Sequence, residues 1–248
     1  MRVIFCILLL LQILLVAGQA DTIIISTAED AVAIAFLNNP TLQTDLDRKK
    51  LSKDIKSTWF QWLFLINQWN IMQDHLNLLG DVDRIAALRY QEGDIDLLEK
   101  SWFVTELAEI KTNTAILKNE IEITGNILKQ LIYSNEKIVP ADTNLSIYQI
   151  DKGYGNVLYP EALVDTVHIE NLQLKLDSYF IRLQFYKTVG LDNAQLILQI
   201  NHAKYKAEEI DYLEFTRTLA EAYNIKLEYL KTLNSYNQTA IELEHYAY

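Results

Sequence analysis

An all-α architecture is predicted for this sequence: long antiparallel helical hairpins with coiled-coil packing, in two structural repeats, with at most a few short strands. Three observations predict it. The first is duplication. RYQEGDIDLLEK at residues 89–100 returns as KYKAEEIDYLEF at 204–215, 115 positions later. Tyr90 falls on Tyr205, Ile95 on Ile210, Asp96 on Asp211, Leu98 on Leu213 and Glu99 on Glu214, and the register runs on to Asn119 and Asn234. A shared offset held this long marks two copies of one supersecondary unit. The second is periodicity. Leu107, Ile110, Thr114, Leu117, Ile121, Thr124, Leu128 and Leu131 alternate spacings of three and four, a heptad seam for packing on another long helix. Its counterpart in the second copy is Leu213, Ala220, Tyr223, Leu227, Leu230, Asn234, Asn237 and Ile241. The third is the scarcity of turn formers, seven Gly and three Pro in 248 residues.

In chain order, residues 1–20 read as a secretory signal: Arg2, an apolar run, then the small residues Gly18 and Ala20 at −3 and −1, so that the mature chain starts at Asp21. The single cysteine, Cys6, lies inside it, which leaves the mature chain without disulfides or thiolate metal sites. The first repeat is placed at 21–139, a linker at 140–160 and the second repeat at 161–248. Residues 27–38 predict a short helix, capped by Thr27 and Asp30 and ended by Asn38-Asn39-Pro40. Residues 41–57 are polar and lysine-rich. The aromatic run Trp59, Phe60, Trp62, Phe64 and Trp69 is too interrupted by Asn67, Gln68 and Asn70 to span a bilayer, and reads as a helix buried by its neighbours.

Each copy of the duplicated stretch reads as helix, tight turn, helix. Asp96…Glu99 and Asp211…Glu214 are capping boxes, in which Asp takes a first-turn N–H and Glu reaches back to the cap N–H. Ile210 and Phe215 are placed for a hydrophobic staple. Gly93 suits the left-handed residue that ends a helix. Glu208 replaces it in the second copy, so that turn is expected to close differently or more loosely. NLSIYQI, 144–150, is the best strand candidate. Residues 162–187 return to helical spacing, although SYFIRLQFY also fits a strand, and Gly190 with Asp192-Asn193 marks a break.

A net charge of −11 argues against nucleic-acid binding, which needs a basic face. No nucleophile elbow, phosphate loop or dinucleotide fingerprint is present, so the chain does not read as an enzyme, and nothing in it asks for a cofactor. His75, His168, His202 and His245 lie on separate segments without metal-ligand spacing and read as packing or surface residues.

AVAIAFLNNPTLQ, RYQEGDIDLLE and KYKAEEIDYLEF…IKLEYLKTLNSYNQTAIELE carry a family likeness. The chain resembles the TolC-type outer-membrane efflux proteins, most clearly their heavy-metal branch. The resemblance implies a homotrimeric duct in the outer membrane or periplasm of a Gram-negative cell, with a membrane β-barrel and a long α-helical barrel. It implies a periplasmic adaptor protein and an inner-membrane resistance-nodulation-division pump as partners, and export of metal cations or small toxic solutes. Carried over, the two tips form the periplasmic aperture, with Tyr90, Gly93, Asp94, Asp96, Glu99, Tyr205, Glu209, Asp211 and Glu214 lining or gating it. Its carboxylates would make a negative ring that favours cations. The sequence departs from the family where membrane strands should lie. Such strands need about nine residues each, alternating apolar and polar, and neither 40–59 nor 178–184 holds a pair. The chain therefore reads as a shortened relative lacking most of the barrel strands. The alternative reading is a soluble periplasmic coiled-coil interaction protein that keeps the hairpins without transport.

Overall fold

Residues 22–42, 44–150 and 163–247 are described by the computed structural model. The predicted signal and most of the predicted linker lie outside them. Strand β1 (Thr22–Ile25) leads to helix α1 (Ala28–Asn38), whose box is reciprocal: the Asp30 N–H donates to Thr27 Oγ1 and the Thr27 N–H to Asp30 Oδ2, both at 3.0 Å. Helix α2 (Asp45–Glu92) starts directly after residues 39–44, with Thr44 accepting the Asp47 N–H at 3.1 Å. It takes in most of the lysine-rich stretch and all of the aromatic run. Its 48 residues make a rod about 70 Å long. Trp59, Phe60, Trp62 and Leu63 are buried in it, because the aromatic face is the one its neighbours cover.

Helix α3 (Leu97–Leu131) returns antiparallel along α2. Its predicted seam is buried at Thr114, Leu117 and Leu128 and half-buried at the other positions. Strand β2 (Lys137–Pro140) then pairs in parallel with β1, Thr22 opposite Lys137 through Ile25 opposite Pro140. That register is the 115-residue offset of the duplicated stretch, so the two strands are counterparts. NLSIYQI does not form the strand expected of it. It runs extended without a ladder, held by side chains: the Tyr148 N–H donates to Asn237 Oδ1, and Asn237 Nδ2 to the Ser146 carbonyl, both at 2.8 Å.

The second copy holds helix α4 (Leu163–Phe185), a π turn at Tyr186–Gly190 and helix α5 (Leu191–Lys206), which form one continuous rod. The break expected near Gly190 is absent, and SYFIRLQFY is helical. Phe185, Gly190 and Leu191 all keep helical angles. Gly190 allows the widened turn rather than ending the helix, since a Cβ there would sit 2.9 Å from the Tyr186 ring. Helix α6 (Tyr212–Ala247) returns along this rod. The four rods pack in the order α3, α2, α6, then α4–α5. The seam of α6 differs at its start from the predicted one. Leu213 and Ala220 face solvent, and Tyr212, Phe215, Leu219 and Ala222 are buried instead.

One apolar cluster gathers at the α1 and strand end of the layer, around Trp59, Phe60, Leu128, Leu172 and Leu233. A second lies toward the hairpin tips, around Leu79, Phe103, Leu198, Tyr205 and Phe215. Among the described residues no helix is long and apolar enough to cross a membrane.

Candidate functional site

The two tip turns close in the same way. At the first, Gly93 has φ +85°, the Gly93 N–H donates to the Tyr90 carbonyl at 3.3 Å and the Asp94 N–H to the Arg89 carbonyl at 2.9 Å. At the second, Glu208 has φ +61°, with Glu208 to Tyr205 at 3.2 Å and Glu209 to Lys204 at 3.0 Å. The looser closure expected of Glu208 does not occur. The residue accepts the left-handed conformation because the two carbonyls at the helix end need those donors. The next helices start alike, Asp96 Oδ1 accepting the Glu99 N–H and Asp211 Oδ1 the Glu214 N–H, both at 2.8 Å.

Side chains from both copies fuse the tips into one unit. Ile95 and Ile210, the residues before the caps, are buried in the same cluster as Phe103, Tyr205, Tyr212 and Phe215. The Phe103 ring stacks on Tyr212 with centroids 3.5 Å apart, and Tyr205 lies 4.7 Å from Phe215. Tyr212 donates to Glu106 Oε2 at 2.9 Å. The Arg89 guanidinium of the first copy sits 5.2 Å from the Tyr205 ring centroid and 3.7 Å from Glu208 Oε1 of the second.

Glu99 is the most perturbed carboxylate of this region. Burial raises its pKa, and Asp211 and Asp96 raise it further, while Arg89 and a hydrogen bond from the Tyr212 backbone pull it back. Its carboxylate is thus turned to the start of α6 rather than to its own cap. Only the Asp half of that capping box forms as predicted. The raised pKa makes Glu99 easier to protonate than an isolated glutamate, and the cause is the proximity of the second tip.

The remaining sequence candidates are placed as follows. Gly93, Asp94, Asp96, Glu209, Asp211 and Glu214 are exposed. Tyr90 is half-buried with Lys100 Nζ 4.3 Å from its ring centroid, whereas Tyr205 is fully buried and packs in the core. Sequence reasoning missed Arg89, Trp102, Glu106 and Tyr212. Arg89 had a signal, since Lys204 occupies its place in the repeat. Glu106 had one as well, since Glu221 is its counterpart, whereas Trp102 meets Arg217 in the repeat and only packing reveals it. Between the two helix starts lies a cavity of about 260 Å³ lined by Glu99, Asp96, Asp211, Leu98, Leu213 and Trp102. Leu98 is 58% exposed and Leu213 62%, so the tip couples fixed negative charge with open apolar surface. Among the described residues no three His, Cys, Asp or Glu are arranged to hold a metal ion.

Paired long hairpins with fused tips define the class: a two-repeat helical hairpin protein. No family model and no curated protein matches the sequence. Solved structures do match the fold. The outer membrane protein VceC of Vibrio cholerae aligns over 89% of this chain and 74% of its own, with TM-score 0.60 and 14% identity. CusC, described as undergoing conformational changes on folding and transmembrane channel formation, aligns over 87% of this chain and 72% of its own, with TM-score 0.57 and 12% identity. The CmeC outer membrane channel of Campylobacter jejuni aligns over 89% and 66%, with TM-score 0.54 and 12% identity. The chain therefore has the fold of the TolC-type outer-membrane channels. The strands among its described residues are β1 and β2, which pair with each other, and residues 39–44 alone connect α1 to α2.

Proposed function

We propose that this chain is a subunit of an efflux duct in the outer membrane or periplasm, and that copies of it close into a ring around a helical passage. The observation that carries this reading is the pair of unpartnered apolar stripes on the two edges of the layer. On α3 they are Ile116, Ile123 and Ile127; on the α4–α5 rod they are Leu174, Ile181, Phe185, Leu196 and Ile200. Each stripe repeats at helical spacing and faces away from the packed interior. One stripe at each edge is the arrangement a head-to-tail ring requires, each copy presenting one edge to the next copy's other edge. The fold relationship supports a homotrimer, working with a periplasmic adaptor and a resistance-nodulation-division pump. The tip carboxylates Asp94, Asp96, Glu209 and Asp211 would then ring the aperture and favour metal cations or small cationic toxic solutes. Native mass determination tests the ring: a trimer is expected, and a stable monomer at micromolar concentration overturns it. Ile123→Asp and Ile181→Asp, each on a different edge, should both yield monomers that keep their helical content.

A second reading is favoured by one observation, the short connection 39–44, which is too small for a pair of membrane strands. It is a periplasmic coiled-coil interaction protein without transport. Membrane fractionation separates the two: the duct reading expects the protein with the outer membrane, the second in the soluble fraction.

A further inference from the structure

The fused tips give the two edges of the layer a common base, so positions on them can be compared by height. Helix α3 starts after its cap Asp96 and runs away from the tips, whereas the α4–α5 rod runs toward them and ends at its cap Ala207. At the helical rise per residue, Ile116, Ile123 and Ile127 stand about 30, 40 and 47 Å above Asp96. Phe185, Ile181 and Leu174 stand about 33, 39 and 50 Å above Ala207. The apolar steps of one edge thus match those of the other to within about 3 Å, less than one helical turn. All six side chains are between 45% and 70% exposed. In a head-to-tail ring the two edges belong to neighbouring copies and run antiparallel, so equal heights are the ones that meet.

The α4 edge also carries a recess. A groove of about 460 Å³ is lined by Asn171, Leu174, Lys175 and Ser178, with His168 and Tyr179 along its side. The first four are spaced i, i+3, i+4 and i+7, the four-residue hole that a knob from a facing helix fills. Its centre stands about 49 Å above Ala207, beside the height of Ile127. Charge follows the same register. Glu120 lies between Ile116 and Ile123 on α3, and Arg182 follows Ile181 on α4. Both are exposed, and neither has an ionic partner among the described residues. Their heights are about 36 and 38 Å. Seen down its own helix, each lies on the same rotational side of its stripe, and antiparallel helices bring like sides together.

We infer that the α4 edge of one copy takes the α3 edge of a second copy in this register. Ile127 enters the groove at residues 171–178, Ile123 packs against Ile181, and Glu120 pairs with Arg182. The inference rests on the ring reading above and adds the residues by which one edge recognises the other. The apolar stripes supply the contact, and the charge pair sets partner and register. Two α3 edges brought together would leave the groove empty and Arg182 alone.

Charge exchange on the full chain tests the register, with native mass determination across a dilution series as the readout. Glu120→Arg and Arg182→Glu should each weaken assembly by about tenfold, because each sets like charges against one another. The double variant Glu120→Arg/Arg182→Glu should recover the assembly of the parent. Disulfide trapping in a Cys6→Ser background, with copper phenanthroline as oxidant, gives a second readout. Ile123→Cys/Ile181→Cys should link copies into dimers and trimers. Ile123→Cys/Leu174→Cys, about 10 Å out of register, should not. A ring that both single reversals leave intact overturns the inference without touching the ring reading. So does a double variant no better than the singles, or trapping by the out-of-register pair alone. A parent that stays monomeric overturns both. Circular dichroism of each variant separates loss of the interface from loss of the fold.

Discussion

At the tip of the first hairpin Gly93 takes φ +85°; at the tip of the second Glu208 takes φ +61° with the same pattern of backbone hydrogen bonds. The same comparison extends up the hairpins. His75 in α2 is buried and stacks on Tyr223 with centroids 4.2 Å apart, while its counterpart in the second rod is Gly190, at the end of the π turn. Phe103 in α3 fills the joint between the tips, while its counterpart in α6 is the half-buried Thr218. The two copies thus keep backbone geometry and caps and differ in what fills the interior. Duplication preserved the hydrogen bonds that each hairpin must make by itself. The side chains between hairpins diverged because each copy meets a different neighbour.

Substitution at equivalent positions should break that likeness most strongly in the joint. Phe103→Ala is expected to cost about 3–5 kcal/mol, the usual range for an emptied aromatic site, whereas Thr218→Ala should stay within about 1 kcal/mol. Denaturant unfolding of the two variants measures the asymmetry.

His75 comes next. Burial holds its pKa down at about 4, from 6.5. The folded state therefore favours the neutral ring. The stability this gives is fully present above pH 6.5 and is lost as pH falls from 6.5 toward 4, reaching about 3 kcal/mol. His75→Phe should flatten the stability profile across that window. An unchanged pH slope would show that the ring protonates without cost.

The turn residues should show effects of opposite sign. Glu208→Gly is expected to stabilise by about 1 kcal/mol, because glycine adopts positive φ without strain. Gly93→Ala should destabilise by about 1–2 kcal/mol for the same reason. Thermal midpoints read both.

The caps should show the smallest and most equal effects. Asp96→Ala and Asp211→Ala should each cost about 1 kcal/mol, since both remove one 2.8 Å bond to a first-turn N–H. A difference above about 1 kcal/mol between them would mean that the tips share load unevenly, through Glu99.

How much of this was legible in the sequence depends on the range of each interaction. Caps, the glycine turn and the α3 seam depend on residues within one or two turns of each other, and they lie where spacing places them. Glu208 was misjudged because residue preference speaks against a left-handed glutamate, while two carbonyls awaiting donors decide the geometry. NLSIYQI has the alternation of a strand, but the Asn237 side chain bonds its backbone at Ser146 and Tyr148 in place of a ladder. Leu213 fits a heptad drawn from the sequence, yet the neighbouring hairpin covers the face of α6 one position earlier, at Tyr212.

By itself the sequence determined the duplication, the two hairpins, the Asp caps and the absence of room for membrane strands at 40–59 and 178–184, since these follow from local spacing and chain length. Only the tertiary structure decided that Glu99 would answer to Asp211 and Tyr212 rather than to its own cap. It also decided that Arg89 would cross to Tyr205, and that Ile123 and Ile181 would lie exposed on opposite edges of the layer. Those outcomes depend on how two long rods are laid side by side. Contacts between residues more than a hundred positions apart are set by the packing of whole faces, which no local pattern records.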